Sequence, residues 1–235
     1  MRFPNPVFVA LDTADLTRAT ALAKSLRPYV GGLKVGLEFI SAHGPDGVRR
    51  IVETGTPVFA DVKFHDIPNT VAGAARAIAG LGIAMFNVHA SGGEAMMRAA
   101  ADAIASVTPR PLLIAVTVLT SMDEAALDEV GQCGPAEQQV QRLAALTKGA
   151  CLDGVVCSAQ ELAIVRKVAG PDFLTVVPGI RPAGAPVGDQ RRIMTPASAR
   201  AAGADILVIG RPITAAADPV AAARAIAQEL GITGI

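Results

Sequence analysis

The chain has 235 residues, 51% of them hydrophobic and 18% charged, and its 21 basic side chains balance its 21 acidic ones. That balance, with no dense Lys/Arg stripe, argues against nucleic-acid binding, which needs a concentrated basic surface. The apolar content excludes a disordered chain, and no run approaches the ~20 apolar residues of a membrane span.

Short apolar runs alternate with longer amphipathic ones along the whole chain. VFVAL from Val7 reads as a strand and ADLTRATALAKSL after it as a helix. GLKVG from Gly32 is the second strand, followed by SAHGPDG, which reads as a loop containing His43. VFADVK from Val58 leads into the helical pattern PNTVAGAARAIAGLG, and MFNVHA from Met85 is the fourth strand. LLIAVT from Leu112, GVVCS from Gly154, FLTVVPG from Phe173 and DILVIG from Asp205 complete the set. The alanine-rich SARAAGA precedes the last strand, and Asp218-Pro219 is a cap and first-turn proline for a final helix.

Eight strands, each followed by helical sequence, predict a (β/α)8 TIM barrel, a fold of about 250 residues, as a single domain over 1–235. A doubly wound open sheet is the competitor; the regular beat and the lack of G-x-G-x-x-G after the first strand favour closure. The stretch RPAGAPVGDQRR, from Arg181 to Arg192, reads as a mobile lid. The N-terminal MRFPNPVFVALD is too short and proline-broken an apolar run for a secretory signal. Cys133, Cys151 and Cys157 are odd in number and lack metal-ligand spacing, which predicts packed or incidental thiols in a reducing cytoplasm.

In such a barrel, chemistry belongs at the carboxyl ends of the strands. Asp12 ends the first strand, Lys34 lies on the second, and Asp61 and Lys63 end the third. Asp61 and Lys63 are two apart, so Phe59, Asp61 and Lys63 share the inner face while Val58, Ala60, Val62 and Phe64 face the helices. Asp66 lies beyond the strand, where periodicity does not orient it. A salt bridge closing the barrel is the bland reading, but a cluster of alternating sign drawn from three strands is a costly way to hold a fold. Gly210 and Arg211 follow the eighth strand, where barrels commonly bind phosphate: the glycine lets backbone N–H groups approach and the arginine offers a forked donor. Arg181 and Gln190 flank the lid and are placed to join the anion. His65 and His89 read as structural histidines, and Cys157 as packing.

The stretch DVKFHDIPNT resembles the D-x-K-x-x-D signature of the orotidine 5′-phosphate decarboxylase family. FVALD, LKVGLEF, NVHASGG, VTVLTSMD, VVPGIRP, GDQRRIMTP and LVIGRPI follow in the family's order, so the resemblance covers nearly the whole chain. It implies decarboxylation of orotidine 5′-phosphate to UMP and CO2, the last step of de novo pyrimidine nucleotide synthesis, without metal or cofactor. It implies Lys63 as proton donor, Asp61 beside the substrate carboxylate and held by Lys34, and Asp66 completing the array. Asp12 and Lys34 would bind ribose hydroxyls, Thr120 and Ser121 would face the pyrimidine, and Arg181, Gln190, Gly210 and Arg211 would hold the 5′-phosphate. A cytoplasmic homodimer is implied, with Asp66 and Thr70 reaching the neighbouring subunit's site. The same signature occurs in sugar-phosphate relatives that use Mg²⁺ and carry an acidic ligand on the second strand, where this chain has Lys34. That Mg²⁺-dependent branch, and a non-catalytic sensor of phosphate ligands, are the alternatives.

Overall fold

The computed structural model describes residues 3–132, 134–183 and 194–232. The elements run β1 (Val7–Ala10), α1 (Leu16–Leu26), β2 (Gly32–Val35), α2 (Leu37–Val52), β3 (Val58–Phe64), α3 (Pro68–Ala79), β4 (Met85–His89) and α4 (Gly93–Ile104). They continue with β5 (Leu112–Val116), α5 (Glu124–Glu129), α6 (Ala136–Gly149), β6 (Gly154–Val156), α7 (Leu162–Ala169), β7 (Leu174–Val177), α8 (Pro196–Ala201), β8 (Ile206–Ile209), α9 (Arg211–Thr214) and α10 (Pro219–Glu229). The strands pair in chain order, all parallel, and β8 returns to β1 to close a barrel. The predicted (β/α)8 architecture is therefore the observed one, and the open sheet is excluded.

Two apolar layers follow from strand alternation. Phe8, Phe59, Met85, Ile114, Val176 and Val208 fill the barrel. Their sequence neighbours, such as Val7, Val9, Val58, Ala60, Phe86 and Leu207, face outward into the larger core beneath the helices. Burying both faces is what parallel strands require, and it explains their nearly continuous apolar character. Gly32 belongs to this packing: a Cβ there would lie 2.2 Å from the ring of Phe8, so the second strand contributes a gap that the first one fills.

Some helix starts carry side-chain caps, one of them the expected Asp218. Asp15 accepts from the backbone of Arg18 at the head of α1, and Asp218 accepts from Ala221 before Pro219 opens α10. The stretch SAHGPDG, expected as a loop, is instead helical. α2 passes through it with a break at Gly44 (φ 58°), and Pro45, which has no N–H to donate, resumes the helix. His43 thereby lies on a helix, and its Nε2 sits 2.8 Å from the Ala14 carbonyl oxygen.

Charge at the amino ends of the strands has a structural use. Asp153, just before β6, takes Arg110 at 2.9 Å and the Leu113 N–H at 2.8 Å. Asp205, just before β8, takes Arg166 at 2.7 Å and the Thr175 N–H at 2.8 Å. These pairs fasten neighbouring strand starts. Cys151 and Cys157 are free thiols, the first exposed and the second buried; Cys133 lies outside the described residues. No helix among the described residues is long and apolar enough to cross a membrane.

Candidate active site

A cavity of about 250 Å³ opens at the carboxyl ends of the strands. Its floor is the top of the barrel core: Phe59, Val116, Val156, Val176 and Val208. Its polar walls come from five strand ends. Asp12 follows β1, Lys34 lies on β2, Asp61 and Lys63 on β3, Gly179 and Arg181 follow β7, and Gly210 and Arg211 follow β8. Thr120, beyond β5, also lines it.

The expected alternation of β3 holds as far as Asp61, with Phe59 inside and Val58, Ala60 and Val62 in the outer core. Beyond it the pairing slips. Ala60 stands opposite Phe86, but Phe64 stands opposite Val88, so β3 advances four residues while β4 advances two. Lys63 lies inside this bulge in the left-handed region, at φ 51°. A non-glycine residue is uncommon there and is held by its surroundings, a feature that clusters at working sites.

Asp61 is the centre of the charge array. One carboxylate oxygen accepts from Lys63 Nζ at 2.6 Å and from Asn87 Nδ2 at 2.7 Å; the other lies 3.3 Å from Lys34 Nζ. Lys34 in turn donates to Asp12 at 3.0 Å. Burial by itself would raise the Asp61 pKa. The ammonium charges of Lys34 and Lys63, with the hydrogen bonds from Lys63 and Asn87, outweigh it and hold the carboxyl below its ordinary 3.8. Burial would likewise lower the Lys34 pKa, but Asp61 and Asp12 carry it above the ordinary 10.5. Asp61 is thus an anion and Lys34 a cation throughout the neutral range.

A second cationic group faces the same cavity from β7 and β8. Arg181 is only 7% exposed and donates to the Ile180 carbonyl at 3.0 Å. Burial and the neighbouring charge of Arg211 both lower its pKa from the usual arginine range. Two guanidinium groups that repel one another across a cavity wall make a place suited to an anion. Gly179 supports the bend there with φ 76°, a conformation that a side chain would strain.

Of the residues singled out from sequence, Asp12, Lys34, Asp61, Lys63, Thr120, Arg181, Gly210 and Arg211 converge on this cavity. Ser121 does not; it is exposed in the turn after β5. Asp66 and Thr70 are also exposed and outside it, and the Asp66 carboxylate accepts from the Ile67 N–H at 2.6 Å. Gln190 and most of the expected lid lie outside the described residues. The base of that segment is tied, because Arg181 N–H donates to the Met194 carbonyl at 3.0 Å. Asn87 was missed. Its signal was available: in MFNVHA it is in phase with Met85, which puts an amide on the inner face of a central strand. His89, in the same phase, faces His65 with ring centroids 5.6 Å apart. Burial, then the charges of His65 and Lys63, lower its pKa.

A closed (β/α)8 barrel with an alternating charge array at one side of its mouth and paired arginines at the other is built as an enzyme for a small anionic substrate. Comparison with known proteins makes this specific. Residues 5–226 match the model of the orotidine 5′-phosphate decarboxylase / HUMPS family. The chain is 57% identical to an orotidine 5′-phosphate decarboxylase of Moorella thermoacetica, over 98% of this chain and 94% of that protein. It is 54% identical to one from Halorhodospira halophila over the full length of both. The crystal structure of orotidine 5′-phosphate decarboxylase from Lactobacillus acidophilus superposes with a TM-score of 0.84 at 38% identity, covering 98% of this chain and 100% of that one. The chain belongs to the orotidine 5′-phosphate decarboxylase / HUMPS family.

Proposed function

We propose that this enzyme decarboxylates orotidine 5′-phosphate to UMP and CO2 in pyrimidine biosynthesis, with Lys63 as the acid that protonates C6. The observation that carries this reading is Asp61 held between two lysines at one side of a cavity whose other side presents Arg181 and Arg211. A nucleoside monophosphate spans these poles. The phosphate goes to Arg181, Arg211 and the backbone at Gly210, with Gln190 assigned to the same group. The ribose hydroxyls meet Asp12 and Lys34. The pyrimidine lies over the apolar floor beside Thr120.

Loss of CO2 leaves an electron pair on C6 in the plane of the ring, where the ring carbonyls cannot delocalise it. The protein must stabilise that charge electrostatically. The Lys63 ammonium does so from a fixed position and then gives its proton to C6. Asp61 keeps that ammonium aimed, and its own charge opposes the substrate carboxylate until CO2 departs. Binding energy from the remote phosphate offsets the cost of ordering and desolvating this charged pole.

Lys34 separates this activity from the Mg²⁺-dependent relatives. Its ammonium stands 3.0 Å from Asp12 and 3.3 Å from Asp61, between the two carboxylates a divalent ion would need. Mixing the protein with orotidine 5′-phosphate and excess EDTA should give full loss of substrate ultraviolet absorbance at the rate seen without chelator. Activity that disappears with EDTA and returns with Mg²⁺ would support the sugar-phosphate branch instead, and binding of the nucleotide without turnover would support a sensor.

The functional unit is a cytoplasmic homodimer in this reading. Residues 65–70 are exposed at the head of α3, Ile67 is 68% exposed, and Asp66 and Thr70 lie outside their own chain's cavity. A second copy of the chain covers that segment and receives both side chains in its site. Mixing inactive Lys63→Ala and Asp66→Asn proteins, with subunit exchange, should restore activity, because a hybrid dimer assembles one intact site. If every residue served its own chain, the mixture would stay inactive.

A further inference from the structure

The break in β3 leaves a question that Asn87 answers. Opposite the bulge that carries Asp61, Val62 and Lys63, β4 presents the fully buried Asn87. Its Oδ1 accepts from the Lys63 backbone N–H at 2.8 Å, and its Nδ2 donates to Asp61 at 2.7 Å. The oxygen that receives Nδ2 is the one that receives Lys63 Nζ at 2.6 Å. One amide therefore grips the backbone of the lysine and the carboxylate that aims its ammonium. The amide orientation follows from its partners, since the flipped form would set donor against donor and acceptor against carboxylate. A residue that only filled volume would need neither contact.

We infer that Asn87 is a positioning residue for the decarboxylation, fixing the Lys63 backbone in its left-handed conformation and setting the Asp61 carboxylate under the Lys63 ammonium. This rests on the role given to Lys63 above. The charged and titratable groups around Asp61 are Asp12 after β1, Lys34 on β2, Lys63 on β3, and His89 on β4 with His65 behind it; Arg181 and Arg211 face it across the cavity. Asn87 adds an uncharged donor to this set, so it steadies Asp61 without altering the charge balance.

Three variants test it, each measured for kcat, KM, UMP affinity and thermal midpoint across pH. Asn87→Ala removes both contacts and should lower kcat by about 100-fold, the scale of a misplaced reacting group, while KM moves far less. Asn87→Asp keeps an acceptor for the Lys63 N–H but sets a carboxylate against Asp61. Losing a donor and gaining a like charge both raise the Asp61 pKa. Because Asp61 works as the anion, the acid limb of the kcat profile should move to higher pH, and activity should recover above it. A merely structural role would lower kcat and thermal midpoint together, whereas a positioning role lowers kcat with the thermal midpoint nearly kept. Should Asn87→Ala not fold, Asn87→Ser, which is small and still polar, carries the kcat and KM comparison. A kcat within about threefold of the parent enzyme in the Ala or Ser variant, where misplacement costs about 100-fold, overturns the inference, as does an unmoved acid limb in Asn87→Asp. Lys63→Ala is assayed alongside. If it alone is inactive, only the role of Asn87 fails; if it turns over normally, the reading of Lys63 fails first.

Discussion

Lys63→Ala should abolish turnover while leaving UMP bound nearly as before. The Lys63 ammonium has two tasks in the proposed reaction, stabilising charge at C6 and delivering a proton. General acid catalysis contributes about 10²- to 10⁴-fold, and one fixed electrostatic donor about 10²- to 10³-fold, so a fall in kcat of at least about 10⁴-fold is expected. The rest of the site should survive. Asp61 keeps Lys34 at 3.3 Å and Asn87 at 2.7 Å, so its carboxylate is not left as a lone buried charge. The proposed phosphate and ribose contacts do not involve residue 63. Lys63→Arg is the informative companion: it retains the positive charge but is too weak an acid to donate its proton, and should also be inactive. Stopped-assay measurement of CO2 release, with UMP affinity by calorimetry, checks both. Near-normal turnover by Lys63→Ala would remove the proton donor from the proposed chemistry.

The second large effect belongs to Arg211. Its side chain faces the cavity from the first residue after Gly210, and it is exposed, so its removal leaves no hole in the core. Arg181 is a poorer probe because it is only 7% exposed and its loss would disturb packing. A hydrogen bond to a charged group contributes about 1.5–3 kcal/mol, so Arg211→Ala should weaken UMP binding about 10- to 100-fold. Uridine, which has no phosphate, should bind the variant as it binds the parent enzyme. kcat/KM for orotidine 5′-phosphate should fall toward the value for the free nucleoside, since the remote contact no longer assists the charged pole. Equal losses for nucleotide and nucleoside would show that Arg211 supports the cavity generally and does not read the phosphate.

The two ends of the barrel show why a charge cluster is not by itself a site. Asp153 and Asp205 at the amino ends of strands are each paired with an arginine and a backbone N–H, and they close against protein. At the carboxyl ends Asp12, Lys34, Asp61 and Lys63 are paired too, but they border a cavity with an apolar floor. An ionic group there interacts strongly with whatever enters, because little water screens it. The difference lies in what the pairs face.

Much of this was readable in the order of residues. Apolar runs of strand length, amphipathic stretches between them, and Asp218-Pro219 at the last helix are local signals, so all eight strands and the closed barrel were legible. Alternation likewise put Asp61 inside with Phe59, because a strand's side chains switch faces with period two whatever lies beside it. What sequence did not reveal depends on the neighbouring strand. The slip between β3 and β4 arises only when the two are paired, and it turns Lys63 into a left-handed conformation that no local propensity demands. Asn87 bridges Lys63 and Asp61 from 24 and 26 residues away, and Lys34 meets Asp12 across 22. Such meetings are set by barrel closure and register. Sequence alone therefore determined that Asp12, Lys34, Asp61, Lys63, Arg181 and Arg211 gather at the mouth; only the tertiary structure decided which of them touch, because contact depends on strand pairing that no single segment encodes.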